Sequence, residues 1–229
     1  MLAFAAPIIC LLGGESTGKS ALSNALQHHL ASVYGLRVGR VSEHLRHWCE
    51  TAGRAPHAHE QSAIADEQTR QIALASRQPG THLVIADTSA LTIATFSEQY
   101  FNDPSLYASV IPVQRSFAGQ LLMGLDLPWV PDGLCRDSPA AREQTDALLR
   151  QTLQRAAIPY QTVYGQGEQR LRNALRALTP ILQPLLGQAP IPTDTLRTEG
   201  RPGWRCEACS DPDCEHRLFT SLLKRTATP

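Results

Sequence analysis

Gly13-Gly14-Glu15-Ser16-Thr17-Gly18-Lys19-Ser20 lies between an apolar run, Ile8 to Leu12, and a stretch with helical periodicity. The spacing is G-x-x-x-x-G-K-S, and each residue type in it has a chemical reason. Glycines let successive backbone N–H groups curl round an anion, and the start of a helix adds a favourable dipole. The lysine reaches the terminal phosphates, and the serine hydroxyl can hold Mg²⁺. All eight residues, Gly13 through Ser20, are therefore expected to cradle the phosphates of a nucleoside triphosphate, with Lys19 and Ser20 at its reactive end. Lysine usage sharpens this. Among 21 basic residues only Lys19 and Lys224 are lysine, the rest being arginine. A compact ammonium on a flexible stem fits beneath a wrapped phosphate where a planar guanidinium fork does not.

Such loops serve kinases, GTPases, ATPases and helicases alike, so the loop identifies a phosphate and leaves the reaction open. A guanine-reading N/T-K-x-D motif needs a second well-placed lysine, and Lys224 lies in Leu-Leu-Lys-Arg-Thr. A GTPase of that type is therefore not expected.

Carboxylates placed after short apolar runs supply the rest of the chemistry. Asp87 ends Leu83-Val84-Ile85-Ala86-Asp87, and Asp126 ends Leu121-Leu122-Met123-Gly124-Leu125-Asp126. Either could stand beside Ser20 to complete a Mg²⁺ shell, with Asp87 the favoured one. Glu43, in Val-Ser-Glu-His-Leu-Arg-His-Trp, or else Asp87 is the candidate base for an acceptor hydroxyl, with Arg46 placed to orient Glu43 or the acceptor. Arg136, with Asp132, Asp137 and Arg142, lies in a loop punctuated by proline and glycine that could close over the phosphates and exclude water. Trp48 and Trp129 sit beside these acids, where an indole could stack on a flat ring. His57 to Glu60 reads as a polar loop, and His28, His29 and His82 as structural.

To position these groups the chain must alternate strand and helix. Strands are predicted at 7–12, 36–44, 82–88, 117–126 and 160–165. Helices are predicted at 19–34, closed by Gly35, and at 58–78, 90–101, 138–156 (capped by Ser138) and 168–178. The alternation implies an α/β P-loop NTPase fold: a parallel sheet flanked by helices, with ligands at the carboxyl ends of the strands. Residues 1–180 form the expected phosphoryl-transfer domain. Residues 181–203, rich in proline and glycine, read as a linker, part of which packs back on the domain. Residues 204–229 form a small Cys/His tail.

Composition sets the outer bounds. Hydrophobic residues at 42% and charged residues at 18% are those of a globular protein. Twenty-one acidic residues balance the 21 basic ones, so no cationic field advertises nucleic acid or an anionic membrane. No apolar run reaches the roughly 18 to 20 residues of a spanning helix. The expected location is cytoplasmic, where cysteines are free thiols or metal ligands. Cys10, Cys49 and Cys135 are scattered, whereas Cys206, Cys209, Cys214 and His216 fall close together. That cluster could form a structural Zn²⁺ knuckle, although its final C-x-H is short. An iron–sulfur or redox role and plain thiols remain the alternatives.

Several motifs occur in order: Leu-Gly-Gly-Glu-Ser-Thr-Gly-Lys-Ser, Ser-Glu-His-Leu-Arg-His-Trp, Ala-Asp-Thr-Ser-Ala-Leu-Thr, Leu-Asp-Leu-Pro-Trp-Val-Pro-Asp-Gly-Leu-Cys-Arg-Asp and Val-Tyr-Gly-Gln-Gly-Glu-Gln-Arg-Leu. Together, over about residues 7–178, they resemble the ribosylnicotinamide kinase domain of NadR-type NAD-biosynthesis proteins. The resemblance implies ATP-dependent phosphorylation of the 5′-hydroxyl of nicotinamide riboside. It places Gly13 to Ser20 on ATP, Asp87 at the Mg²⁺ and acceptor site, and Arg136 in a lid. Three features depart from that pattern. Asp87-Thr88-Ser89 stands where D-T-D is frequent, and Cys135 is inserted in the arginine segment. The first strand begins close to Met1, so neither an adenylyltransferase nor a DNA-binding domain is expected ahead of it. The rival readings are a regulatory P-loop ATPase, with a protein partner at the Cys/His tail, and a nucleotide sensor.

A zinc knuckle would hold about one metal ion per chain. Elemental analysis is expected to find that zinc in the purified chain and to lose it in a Cys209→Ser variant; a metal-free chain with reactive thiols would leave the cluster as ordinary cysteines.

Overall fold

The computed structural model describes residues 4–130 and 138–187. Arg136 and the cluster of Cys206, Cys209, Cys214 and His216 lie outside the described residues.

Short runs of wholly apolar residues need cover on both faces, and a parallel sheet between helices provides it. Strands β1 (Ile8–Leu12), β2 (Val38–Val41), β3 (Leu83–Asp87), β4 (Gly119–Met123) and β5 (Gln161–Val163) pair in the order β2-β3-β1-β4-β5. Every pairing is parallel. β1 is central, and its Leu11 lies in register with Asp87 of β3. The acid at the end of β3 is thus brought beside the loop that leaves β1.

The two-residue period of a strand sorts the core into two halves. Ile8, Cys10 and Leu12 face one cluster with Val84, Ala86, Ile64, Leu91 and Leu149. Ile9 and Leu11 face the other with Leu22, Leu26, Leu30, Ile85 and Leu175. The first half is covered by α3 (Gln61–Arg77), α4 (Ala90–Phe101), α5 (Tyr107–Arg115) and α6 (Pro139–Arg155). The second is covered by α1 (Lys19–Tyr34), α7 (Gly167–Ala177) and α8 (Thr179–Leu186). Gly35 ends α1 in the left-handed conformation, and the Ser138 hydroxyl caps α6 by accepting from the Ala141 N–H.

Three helices go beyond the sequence pattern. Helix α2 (His44–Ala52) is only nine residues long and has Cys49 as its one buried residue. Helix α5 contains Pro112, normally a breaker. The first part of the presumed linker packs back as α8, with Pro180 in its first turn, where a missing N–H costs nothing, and Leu182 fully buried. β4 stops at Met123, three residues short of Asp126, which therefore belongs to the following loop. Among the described residues no helix is long and apolar enough to cross a membrane.

Leu26 is fully buried under the sheet on α1, the helix that carries the lysine of the loop. Leu26→Ala is expected to cost about 2–5 kcal/mol, read from urea unfolding.

Candidate active site

The loop from Gly13 to Gly18 joins β1 to α1 and is enclosed by side chains from distant segments. At Gly18, whose φ is +80°, a Cβ would lie 2.8 Å from Leu127 Cδ1 and 3.0 Å from Arg170 Nη1. At Gly14 it would lie 3.0 Å from the Arg142 carbonyl oxygen. These two glycines are thus required by close packing from outside, which leaves the inner face of the loop as bare backbone. The Lys19 ammonium curls over that backbone, donating to the carbonyls of Gly13 at 2.8 Å and Gly14 at 2.9 Å. An ammonium has three N–H donors, so one remains for an anion. The Thr17 hydroxyl donates to the Gly14 carbonyl at 2.7 Å. Ser16, with φ +54°, donates its hydroxyl to the Val130 carbonyl at 2.9 Å and accepts the Val130 N–H at 3.2 Å. Ser20 is exposed on the first turn of α1. Glycine cradle, lysine and hydroxyl together fit a polyphosphate with its divalent cation.

A cavity of about 990 Å³ opens from this loop. Glu15 through Ser20 form one wall, and Glu43 and Arg46 stand on another. Phe96, Tyr100 and Phe101 of α4 form an apolar side. Glu43 immediately precedes α2, yet its side chain makes no capping hydrogen bond to that helix. Its carboxylate pairs instead with the Arg46 guanidinium at 3.9 Å. The expected acid and its arginine are therefore brought together on the same cavity as Lys19.

Asp87 is 2% exposed and does not line this cavity; its Oδ1 has no hydrogen-bond partner. A buried carboxylate oxygen without a partner is costly and suits a cation ligand. The next residue, Thr88, is held at φ +83°, an outlier for a β-branched side chain, while its N–H donates to the Leu11 carbonyl at 3.1 Å. Backbone strain thus sits beside the acid. Ser89, where the resembling pattern has a second acid, is a buried cap of α4. It accepts the Leu91 N–H at 3.3 Å and donates to Gln114 Oε1 at 2.6 Å.

Asp126, the other candidate for the cation, is engaged elsewhere. Its Oδ1 accepts from Arg170 Nη2 at 2.5 Å, and its Oδ2 accepts the Gly165 N–H at 2.7 Å. Arg170, 4% exposed, also donates through Nε to the Gly165 carbonyl at 2.7 Å and through Nη1 to the Thr17 carbonyl. Burial pushes its pKa below the usual arginine value, and Asp126 opposes that shift. Sequence reasoning missed Arg170; its one signal is a place in Val-Tyr-Gly-Gln-Gly-Glu-Gln-Arg-Leu. Trp48 packs against the core with the Arg54 guanidinium 5.0 Å above its ring, and neither Trp48 nor Trp129 lines the cavity. Burial pushes the Cys10 thiol up to about 12, so it stays protonated.

A family model described as an AAA domain matches residues 8–170. The chain belongs to this AAA-domain family. Among solved structures, that of NadR protein in complex with NR matches the AAA-domain chain at 14% identity with a TM-score of 0.67, covering 83% of this chain and 54% of that one. The structure of NadR protein in complex with NAD and AMP-PNP matches at 14% identity with a TM-score of 0.60, covering 77% and 49%. The AAA-domain chain thus spans about half the length of the NadR chains whose fold it shares. Among its described residues no group of three His, Cys, Asp or Glu side chains gathers as a metal site.

Removing Asp126 strands a buried guanidinium, whereas removing Arg170 leaves a carboxylate that reaches water, its side chain being 29% exposed. Asp126→Ala is expected to lose about 3 kcal/mol in urea unfolding and Arg170→Met less, while both bind a nucleoside triphosphate more weakly by calorimetry.

Proposed function

We propose that this AAA-domain protein is an ATP-dependent small-molecule kinase that phosphorylates the 5′-hydroxyl of a ribosyl nucleoside, with nicotinamide riboside the foremost candidate. The observation that carries the reading is that Lys19 and Glu43 line a single cavity. A phosphate cradle alone suits any nucleotide enzyme. A carboxylate on the same cavity, beside room for a second molecule, suits transfer to an acceptor. The apolar side built by Phe96, Tyr100 and Phe101 gives a flat base a surface to lie on. The fold shared with NadR protein, in one case complexed with NR, supports the choice of acceptor.

In this reading the loop amides and the Lys19 ammonium hold the β- and γ-phosphates. Glu43 takes the proton of the acceptor hydroxyl as its oxygen bonds to the γ-phosphorus, while the bond from that phosphorus to the β,γ-bridging oxygen breaks and ADP leaves. Arg46, 3.9 Å from the Glu43 carboxylate, keeps it aimed. Ser20 and Asp87 would hold Mg²⁺, which offsets charge on the phosphate oxygens when bound. Arg136, in the segment beyond Val130, is assigned to cover the transferring group and exclude water.

The test is ATP consumption by the full chain with Mg²⁺, alone and with a panel of ribonucleosides, the products identified by mass. A phosphorylated riboside is expected, absent in Lys19→Ala and slowed about 10²–10⁴-fold in Glu43→Gln. Phosphate release that needs no acceptor and yields no nucleoside product would overturn the kinase reading in favour of an ATPase.

A further inference from the structure

Glu43 stands at the junction of β2 and α2, where the chain leaves a short edge strand and enters a helix that buries little. Such a junction has few contacts of its own to fix it. Its anchoring comes from α3. Gln68 is fully buried in the middle of that helix. Its amide oxygen accepts the His44 N–H at 2.7 Å, and its amide nitrogen donates to the Ser42 carbonyl at 3.3 Å. The two backbone groups belong to the residues on either side of Glu43. Gln71, one turn further along α3, adds a contact from its amide nitrogen to His44 Nδ1 at 3.3 Å and donates to Glu67 at 2.9 Å.

We infer that Gln68 is a positioning residue for Glu43: its planar amide grips the chain on both sides of the acid and fixes where the carboxylate projects. The inference rests on the kinase reading, in which Glu43 accepts the hydroxyl proton. Two features make glutamine the suitable residue. A single primary amide both donates and accepts, so it satisfies one carbonyl and one N–H at once. It is also neutral, so it can be buried with two hydrogen bonds and without an ion's desolvation cost. The N–H it satisfies is an orphan at the start of α2. An acid at a helix start commonly turns its own side chain back to cap that helix. Here α3 takes up part of that need, and the Glu43 carboxylate faces the cavity with Arg46.

A group that acts only through Glu43 has a kinetic signature that a packing residue lacks. Gln68→Met keeps length and apolar volume and removes both hydrogen bonds. In the full chain, with Mg²⁺–ATP and the acceptor, it is expected to lower kcat about 10–10²-fold, since a small misplacement of a reacting group is costly. ATP affinity measured without acceptor stays unchanged within about twofold, because Gln68 is not among the residues lining the cavity. In a Glu43→Gln background the same substitution is expected to cost little more, since the base it positions is already gone. Should Gln68→Met unfold too readily, Gln68→Asn is read the same way: it keeps a neutral amide but, one methylene shorter, does not reach both the His44 N–H and the Ser42 carbonyl. Full activity in Gln68→Met alongside a crippled Glu43→Gln overturns the positioning role alone, as do losses that multiply independently in the double variant. Phosphorylation of the acceptor undiminished in Glu43→Gln overturns the base assignment, and the positioning role with it.

Discussion

A phosphate loop made largely of small residues cannot hold its own shape, and here one buried guanidinium holds it from outside. Arg170 joins three segments far apart in sequence: the Thr17 carbonyl in the loop, the Gly165 carbonyl after β5, and Asp126 after β4. In a trans peptide the N–H points opposite to the C=O. Fixing the Thr17 carbonyl on Arg170 therefore turns the Gly18 N–H to the far side of its peptide plane. Asp126 makes the arrangement tolerable, because a charge buried without a counter-ion would be destabilising. The glycines complete the constraint. Gly14 and Gly18 admit Arg142, Leu127 and Arg170 close to the backbone.

What could be read in the sequence was local. Lys19 to Tyr34 repeats apolar residues at helical spacing and ends in Gly35, and the same residues form α1. Asp87 closes a run that is buried from Leu83 onward, and the strand ends there. Ala90 to Phe101 and the Ser138 cap were legible for similar reasons. What could not be read depended on partners distant along the chain. The engagement of Asp126 depends on Arg170, 44 residues beyond it, and the Ser42–His44 backbone is gripped by Gln68, 24 residues beyond His44. No periodicity reports such pairs. Proline pointed in the opposite direction: Pro112 lies inside α5 and Pro184 inside α8, each at the loss of a helical hydrogen bond that neighbouring packing offsets.

The chain just after β1 and just after β3 also carries backbone strain. Ser16 and Thr88 hold positive φ angles that their side chains disfavour, and each is tied down by hydrogen bonds to another segment, Val130 in one case and Leu11 in the other. Strain of this kind persists only where surrounding contacts over-determine it. Ser89 contributes to that support. By capping α4 and binding Gln114 it fixes the helix that begins three residues after Asp87.

The central position of β1 has a consequence for synthesis. Its two neighbours are β3, which ends at Asp87, and β4, which ends at Met123. While the chain emerges from a ribosome at about 5–20 residues per second, Ile8 to Leu12 stays an unpaired apolar ribbon for several seconds. Parallel pairing cannot be relieved by a quick hairpin, because each crossover must be made first. The nascent protein therefore displays a wholly apolar segment early and buries it late. A holdase that binds short extended apolar peptides would find its best target in the strand on which the nucleotide site is later assembled.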